Sequence, residues 1–336
     1  MLSRTADHLF WMARYMERAE NTARMLDVNY QTSLLPQSAD MAEQGWRGLL
    51  SISELTHSFQ QKYDTVSADN VMDFMVRDDA NPSSIVACLR AARENARAVR
   101  GALTTEVWET QNQTWLEFRR LLADGTFRKD PSNLFEWVKF RSHLSRGVTV
   151  GTMLQDEALH FLRIVTFLER ADNTARLLDV KFHALTKEFY GVGSMVQMQT
   201  MNGMTQSQFM QRDQQEYDFY HWSAILRSVS GFEVYRKAYR NVIRPEKVAE
   251  LLILRTDMPR SLAACMHEVM CNLRMVANEQ SGETLRKAGR LCADLQYARI
   301  DEILATGLHA YLTQFLDRVG DLGYGISHDF LVPVAA

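Results

Sequence analysis

Residues 17–28 read ERAENTARMLDV, and residues 169–180 read ERADNTARLLDV. Ten of the twelve positions are identical at an offset of 152, and the other two, Glu20 against Asp172 and Met25 against Leu177, are conservative. Upstream at the same offset, His8 falls on His160. At roughly 100° per residue, a helical wheel places Glu20, Asn21 and Arg24 on the same side as Glu17. Trp11, Tyr15, Ala19, Thr22 and Leu26 lie opposite, and Arg18 falls between the two faces, beside Trp11. The segment is therefore an amphipathic helix that occurs twice. A repeated apolar stripe would require only two buried helices. This repeat also keeps Glu17, Arg18, Asn21, Arg24 and Asp27, which calls for a reason beyond packing.

The rest of the chain is helical by the same periodicity. Helices are predicted over about 5–34, 41–62, 69–76, 84–122 (one or two), up to 150 after Asp130-Pro131-Ser132, 152–189, 206–228, 231–241, 245–254, 259–278, 282–299 and 300–319. Ser3 or Thr5 is the expected cap of the first helix, and Pro36 its stop. No strand pattern competes, and Gly (16) and Pro (6) are scarce among the 336 residues, which favours helices over a loop-rich or all-β fold. The expected fold class is all-α: a multi-helix bundle with an internal duplication of the repeated helix. It reads as a single domain over 1–336 with pseudo-repeats at about 1–150 and 151–320. The end of the chain, with Gly320, Gly323 and Gly325, is expected to be irregular. Residues 191–215 hold five methionines, many glutamines and three glycines, which predicts a mobile loop or an adaptable partner surface.

Composition excludes several classes. A net charge of −3 gives no global case for nucleic acid or an anionic membrane. No run of about 18 apolar residues is present to span a bilayer. Arg4, Asp7, Arg14, Glu17 and Arg18 leave no room for the apolar core of a signal peptide, so a cytoplasmic protein is expected. Cys88, Cys265, Cys271 and Cys292 show no CxxC spacing and read as reduced core thiols. There is no GxxxxGK[ST] loop, no strand–GxGxxG–helix unit and no GxSxG elbow, hence no self-sufficient ATP site and no recognisable nucleophile with its base. No cofactor is implied.

Three polar groupings are candidates for function. The first is the repeat itself: Glu17, Arg18, Glu20, Asn21 and Arg24 with Glu169, Arg170, Asp172, Asn173 and Arg176. Glu20–Arg24 and Asp172–Arg176 are i,i+4 pairs in the favourable orientation, each contributing ~0.3–0.5 kcal/mol as solvated pairs. If the two copies meet about a pseudo-twofold, Arg18 reaches Glu169 while Arg170 reaches Glu17. A structural ion-pair role and a ligand-facing role both remain open at this level. The second is Arg90, Arg93, Arg97 and Arg100, spaced along one helix face as a solvated stripe or an anion site. The third is the pair of ExxH motifs, Glu54/His57 and Glu157/His160, which with Glu17 and Glu169 could furnish a di-iron ligand set. The signal is weak, because ExxH arises easily by chance in a helical protein, and ordinary polar helix surface is the plainer reading.

The chain also resembles the bacterial Alpha-E family, all-helical domains named for an ER motif. Here that motif is Glu17-Arg18 and, in the second copy, Glu169-Arg170. The opening MLSRTADHLFWMARYMERAENTARMLDV is similar to the family's N-terminus almost throughout. So are residues 156–163, 84–97 (SIVACLRAARENAR), 222–239, and 245–265 with Met258-Pro259-Arg260-Ser261. The stretch 192–215 departs from the family, which usually has a shorter, proline-bearing connection there. Alpha-E domains typically occur beside, or fused to, circularly permuted ATP-grasp proteins, which resemble ligases joining a carboxylate to an amine through an acyl phosphate. Transglutaminase-like proteins and a proteasome-like peptidase often accompany them. The resemblance thus implies a non-catalytic or substrate-positioning partner of an ATP-grasp ligase in peptide or amide synthesis, with an amino acid or peptide as substrate. The alternative is an enzyme with its own acid–base or metal chemistry on Glu17, Glu169 and His160.

Overall fold

The structure is a computed structural model and describes residues 1–191, 219–240 and 242–331. Among these residues there is no strand. The first eight helices are α1 (Ser3–Ser33), α2 (Ala39–Ile52), α3 (Thr56–Gln60), α4 (Ala68–Val76), α5 (Ile85–Ala98), α6 (Thr105–Ala123), α7 (Thr126–Lys129) and α8 (Pro131–Thr152). They are followed by α9 (Glu157–Gly191), α10 (219–228), α11 (Phe232–Tyr239), α12 (Pro245–Ile253), α13 (Leu262–Met275), α14 (Gly282–Tyr297), α15 (Ile300–Thr306) and α16 (Leu308–Phe330).

The two long helices that carry the ER sequences, α1 and α9, pack directly on one another at the centre. α1 is flanked by α5 and α8, and α9 by α13 and α16. With neighbours on several sides, α1 buries Glu17, Glu20, Asn21, Arg24 and Asp27 along with Leu9, Phe10, Ala19, Ala23 and Leu26. The polar face is therefore not a solvated one; it is inside the protein.

Local chemistry sets the boundaries. Ser38, Ser67, Ser84, Thr104 and Ser261 each accept a backbone N–H of the first turn, and Asp130 does so ahead of Pro131. Four expectations are corrected. Neither Ser3 nor Thr5 caps α1; Leu2 occupies the cap position without a side-chain bond. The helix foreseen over 41–62 breaks at Glu54, whose φ of 56° lies in the left-handed region. The helix foreseen over 300–319 breaks at Gly307 (φ 103°), a conformation that costs glycine little. Finally, the glycine-bearing end is not irregular but lies within α16. A Cβ at Gly325 would stand 2.6 Å from Thr284 Oγ1, so that glycine marks the close approach of α14 rather than a loop. The expected loop at 191–215 falls, after Gly191, outside the described residues. Among the described residues no helix is long and apolar enough to cross a membrane.

Several contacts occur twice. His8 Nδ1 lies 2.8 Å from Asn95 Oδ1, and His160 Nδ1 lies 2.8 Å from Asn272 Oδ1. Cys88 donates to the carbonyl of Pro82 and Cys265 to that of Pro259. Ser84 Oγ donates to Asp78 O, and Ser261 Oγ to Arg255 O. Leu55 N donates to Leu50 O, and Gly231 N to Leu226 O. Beyond the first long helix the spacing between matched positions is 176–177 residues rather than 152, and the excess falls on the stretch after α9.

Candidate functional site

Where α1 and α9 cross, their ER sequences pair reciprocally. Arg170 donates from Nε to Glu17 Oε1 at 2.9 Å and from Nη2 to Oε2 at 3.0 Å. Arg18 donates from Nε to Glu169 Oε1 at 2.7 Å and from Nη2 to Oε2 at 3.3 Å. Each carboxylate meets a planar guanidinium fork, the strong form of a charged hydrogen bond. Burial would lower the pKa of both arginines, but the carboxylates facing them raise it above the ordinary range. The two pairs are not equivalent in exposure: Glu17 is 1% exposed and Glu169 7%, whereas the Arg18 side chain is 28% exposed.

On the Glu17 side the cluster is closed. Glu17 also takes a bond from Arg146 Nη1 of α8 at 2.9 Å, and Arg260 Nη1 lies 3.2 Å from Glu17 Oε1. Glu20 accepts from Arg24 Nε at 2.8 Å, Ser142 Oγ at 2.7 Å, Arg260 Nη2 at 2.5 Å, and Arg146. Arg260 Nη1 also donates to Asn21 Oδ1 at 2.9 Å. Two carboxylates thus face four arginines: Arg24, Arg146, Arg170 and Arg260. Burial would raise the Glu17 and Glu20 pKa values. The arginines outweigh it, leaving Glu17 below its usual range and Glu20 well below. Burial, helped by Arg170 and Arg24, pulls Arg260 down to about 10, which leaves it charged at neutral pH. His143 sits at the rim, with Arg146 Nη2 2.7 Å from Nδ1 and Arg24 Nη2 3.2 Å from Nε2. Its pKa is lowered by burial and by these cations, so the ring is neutral at pH 7.

On the Glu169 side the site is open. A cavity of about 260 Å³ is lined by Arg14, Arg18, Asn21, Ser83, Glu169, Asp172, Asn173, Arg176 and Glu54, among others. Arg14 Nε donates to Glu169 Oε2 at 2.8 Å. Arg176 donates to Asp172 at 2.8 and 3.2 Å, and also to Glu54. Burial pushes the Asp172 carboxyl up despite Arg176. Cations and anions balance on this wall, and both face one space. Two further cavities adjoin the closed cluster. One, of about 170 Å³, has apolar walls from Met12, Met16, Leu159 and Phe167 over Glu17, Arg146 and Arg170. The other, of about 390 Å³, lies at Arg24, His143, Arg227 and Ser230.

The remaining sequence candidates are dispersed. Arg90 pairs with Asp79 at 3.1 Å, Arg93 with Asn112 and Glu94, and Arg97 with Glu94 at 3.0 Å, while Arg100 lies over Trp108. They do not converge on a cavity described here. Glu54 holds Arg176, His57 lies 3.0 Å from Gln61, Glu157 holds the N-terminal ammonium, and His160 meets Asn272. Among the described residues no group of three or more His, Cys, Asp or Glu is placed to hold a metal. The thiols are corrected in part: Cys88 and Cys265 are buried, but Cys271 is exposed and Cys292 half-buried. Sequence reasoning gave no site role to Arg14, Ser83, Ser142, His143 or Arg146. Arg260 stood out as one of the cations of the basic segment 227–260 and within Met258-Pro259-Arg260-Ser261, without a role at the ER sequences.

Fold and site together define an all-helical protein organised around buried, reciprocal Glu–Arg pairs. The family model described as Alpha-E, "A predicted alpha-helical domain with a conserved ER motif", matches residues 1–331, and the chain belongs to that family. Neither a curated protein nor a solved structure matches it.

Proposed function

We propose that this chain is a non-catalytic, substrate-positioning partner of an ATP-grasp carboxylate–amine ligase, acting in peptide or amide synthesis. The partner class comes from the resemblance to Alpha-E proteins. The observation that carries the substrate-positioning part is the open cavity at Glu169. It presents arginines and carboxylates of balanced charge, the complement of a zwitterion such as an amino acid or peptide end. The chain would act in the cytoplasm and would leave ATP chemistry to the partner. The alternative, acid–base chemistry on Glu17, Glu169 and His160, has less support. Glu17 is ringed by arginines that keep it ionised, and His160 is occupied by Asn272.

We further infer that α1–α8 and α9–α16 are copies of one eight-helix unit, the ER helix opening each. The repeated sequence and the paired contacts of His8/His160, Cys88/Cys265 and Ser84/Ser261 support this. The test of the functional reading is co-purification with the neighbouring ATP-grasp protein, followed by an amide-ligation assay with and without this chain. Stimulation that is lost in Arg14→Ala or Arg176→Ala, with both variants folded, is the expected result. Ligation indifferent to the chain would refute it.

A further inference from the structure

Matched positions around the two ER sequences differ at several places, and one of them bears directly on which side is filled. Glu17 corresponds to Glu169, Glu20 to Asp172, Asn21 to Asn173, Arg24 to Arg176 and Arg170 to Arg18. Arg24 donates to Ser230 and Arg176 to Glu54, and these two acceptors share a left-handed backbone, φ 54° and 56°. Ser261 and Ser84 cap α13 and α5 in the same way. The residue directly before each capping serine is Arg260 on one side and Ser83 on the other. Arg260 fills its side, donating to Glu20 and Asn21 beside Glu17. Ser83 is too short to do so, and the cavity of about 260 Å³ stands in its place.

We infer that this cavity is a seat for the guanidinium or primary ammonium end of a small ligand, held by Glu169, Asp172 and Asn173 as their counterparts hold the Arg260 guanidinium. Among the described residues the acceptors there hold fewer donors than their counterparts. Glu20 receives donors from four residues, Arg24, Arg146, Arg260 and Ser142, whereas among the described residues Asp172 receives them from one, Arg176. Glu169 Oε1 takes one hydrogen bond, from Arg18, while Glu17 Oε1 takes Arg170 and has Arg260 at 3.2 Å. A second observation comes from Asn21. It forms part of the cavity wall, is 2% exposed, and its Nδ2 has no hydrogen-bond partner among the described residues. A buried donor without an acceptor is costly, and Arg14 and Arg18 on the same wall are cationic, so an anionic oxygen of the ligand belongs beside those arginines. A free amino acid with a cationic side chain meets both requirements. The raised Asp172 carboxyl agrees, because a buried carboxylate short of donors favours its neutral form and an arriving cation reverses this.

This inference deepens the substrate-positioning reading and rests on it for the biological role, but binding is measured without the ligase. Titration calorimetry on the full chain with L-arginine, agmatine and n-butylammonium chloride, against sodium chloride at equal ionic strength, is the direct test. At least one of the three probes is expected to bind, and comparison of agmatine with butylammonium shows which cationic group the seat takes. Ser83→Arg should place a guanidinium where Arg260 has one, weakening the probe at least tenfold while raising the melting temperature of the free protein. Asp172→Asn should also weaken binding at least tenfold, and it decides the matter if Ser83→Arg does not fold. Binding unchanged in the folded variants, or no probe bound by the wild type, would overturn the proposal. A chain that binds no probe yet supports ligation sinks the cation seat alone; binding without any effect on ligation sinks the ligase reading alone.

Discussion

Arg170 lies against Glu17 as a two-pronged pair, with bonds of 2.9 and 3.0 Å, and both side chains are shut off from solvent. Its reciprocal, Arg18 on Glu169, is partly exposed and shares its carboxylate with Arg14. The two substitutions should therefore differ. Arg170→Ala strands part of a buried charge network and is expected to cost roughly 3–5 kcal/mol. Arg18→Ala leaves Glu169 paired with Arg14 and should cost about 1–2 kcal/mol. Urea unfolding of both variants checks the order. Equal losses, or none, would mean that the pairs do not hold α1 against α9.

Acid should unfold the protein through Glu17 and Glu20. The arginines hold both carboxyls lower in the folded chain than in the unfolded one, near 4.5. In that window the unfolded state binds more protons, so stability rises with pH. The contribution is complete above about pH 5 and is lost as pH falls through the folded values. His143 adds in the same sense from about pH 6.5 downward, because its folded pKa is depressed. Asp172, pushed up, works weakly against this above its unfolded value of 3.8. The urea midpoint is expected to be flat from pH 8 to 7 and to fall steeply below pH 4.5. A midpoint unchanged at pH 3.5 would contradict the ionised cluster.

The helical class and most element positions were legible because apolar periodicity and capping residues are local signals. Ser84 and Asp130 each begin a helix where their chemistry requires it. The break at Glu54 was not legible, since a left-handed turn at a glutamate has no residue signature. The glycines of α16 misled because close helix packing and loops use the same residue. For the site, the ER repeat pointed to its own copy, since Arg18 and Glu17 diverge by ~100° on a helix and need partners elsewhere. Arg146 and Arg260 could not be found that way. They come from α8 and from the turn before α13, and only tertiary packing brings them to Glu20.

Thiol chemistry should divide the four cysteines. Cys88 and Cys265 are buried, and burial pushes both thiols up to about 12. Cys271 is exposed and Cys292 half-buried. The thiolate is the reactive form, so a chromogenic disulfide reagent at pH 8 should label Cys271 first, Cys292 more slowly, and the other pair only in denaturant. Peptide mapping of the labelled sites is the check. Early modification of Cys88 or Cys265 would show that the α1–α5 and α9–α13 contacts open readily.

Two glycines of α16 give opposite expectations for the same substitution. A methyl at Gly320 would meet nothing within 4 Å. Gly320→Ala should therefore stabilise by ~0.5–1 kcal/mol, by restricting the unfolded chain and raising helix propensity. At Gly325 the added Cβ would lie 2.6 Å from Thr284 Oγ1 and 3.5 Å from Thr284 Cβ. Thr284 is buried, and its hydroxyl donates to Asp329 at 2.5 Å, so it cannot turn away without breaking that bond. Either the threonine loses its acceptor or α16 shifts off α14, and overpacking of this kind costs ~1–3 kcal/mol. Gly325→Ala is thus expected to lower the urea midpoint while Gly320→Ala raises it. Pairing Gly325→Ala with Thr284→Ala removes the obstacle and should recover the steric part of the loss. If Gly325→Ala proves as stabilising as Gly320→Ala, the close α14–α16 approach is wrong and those glycines need another explanation.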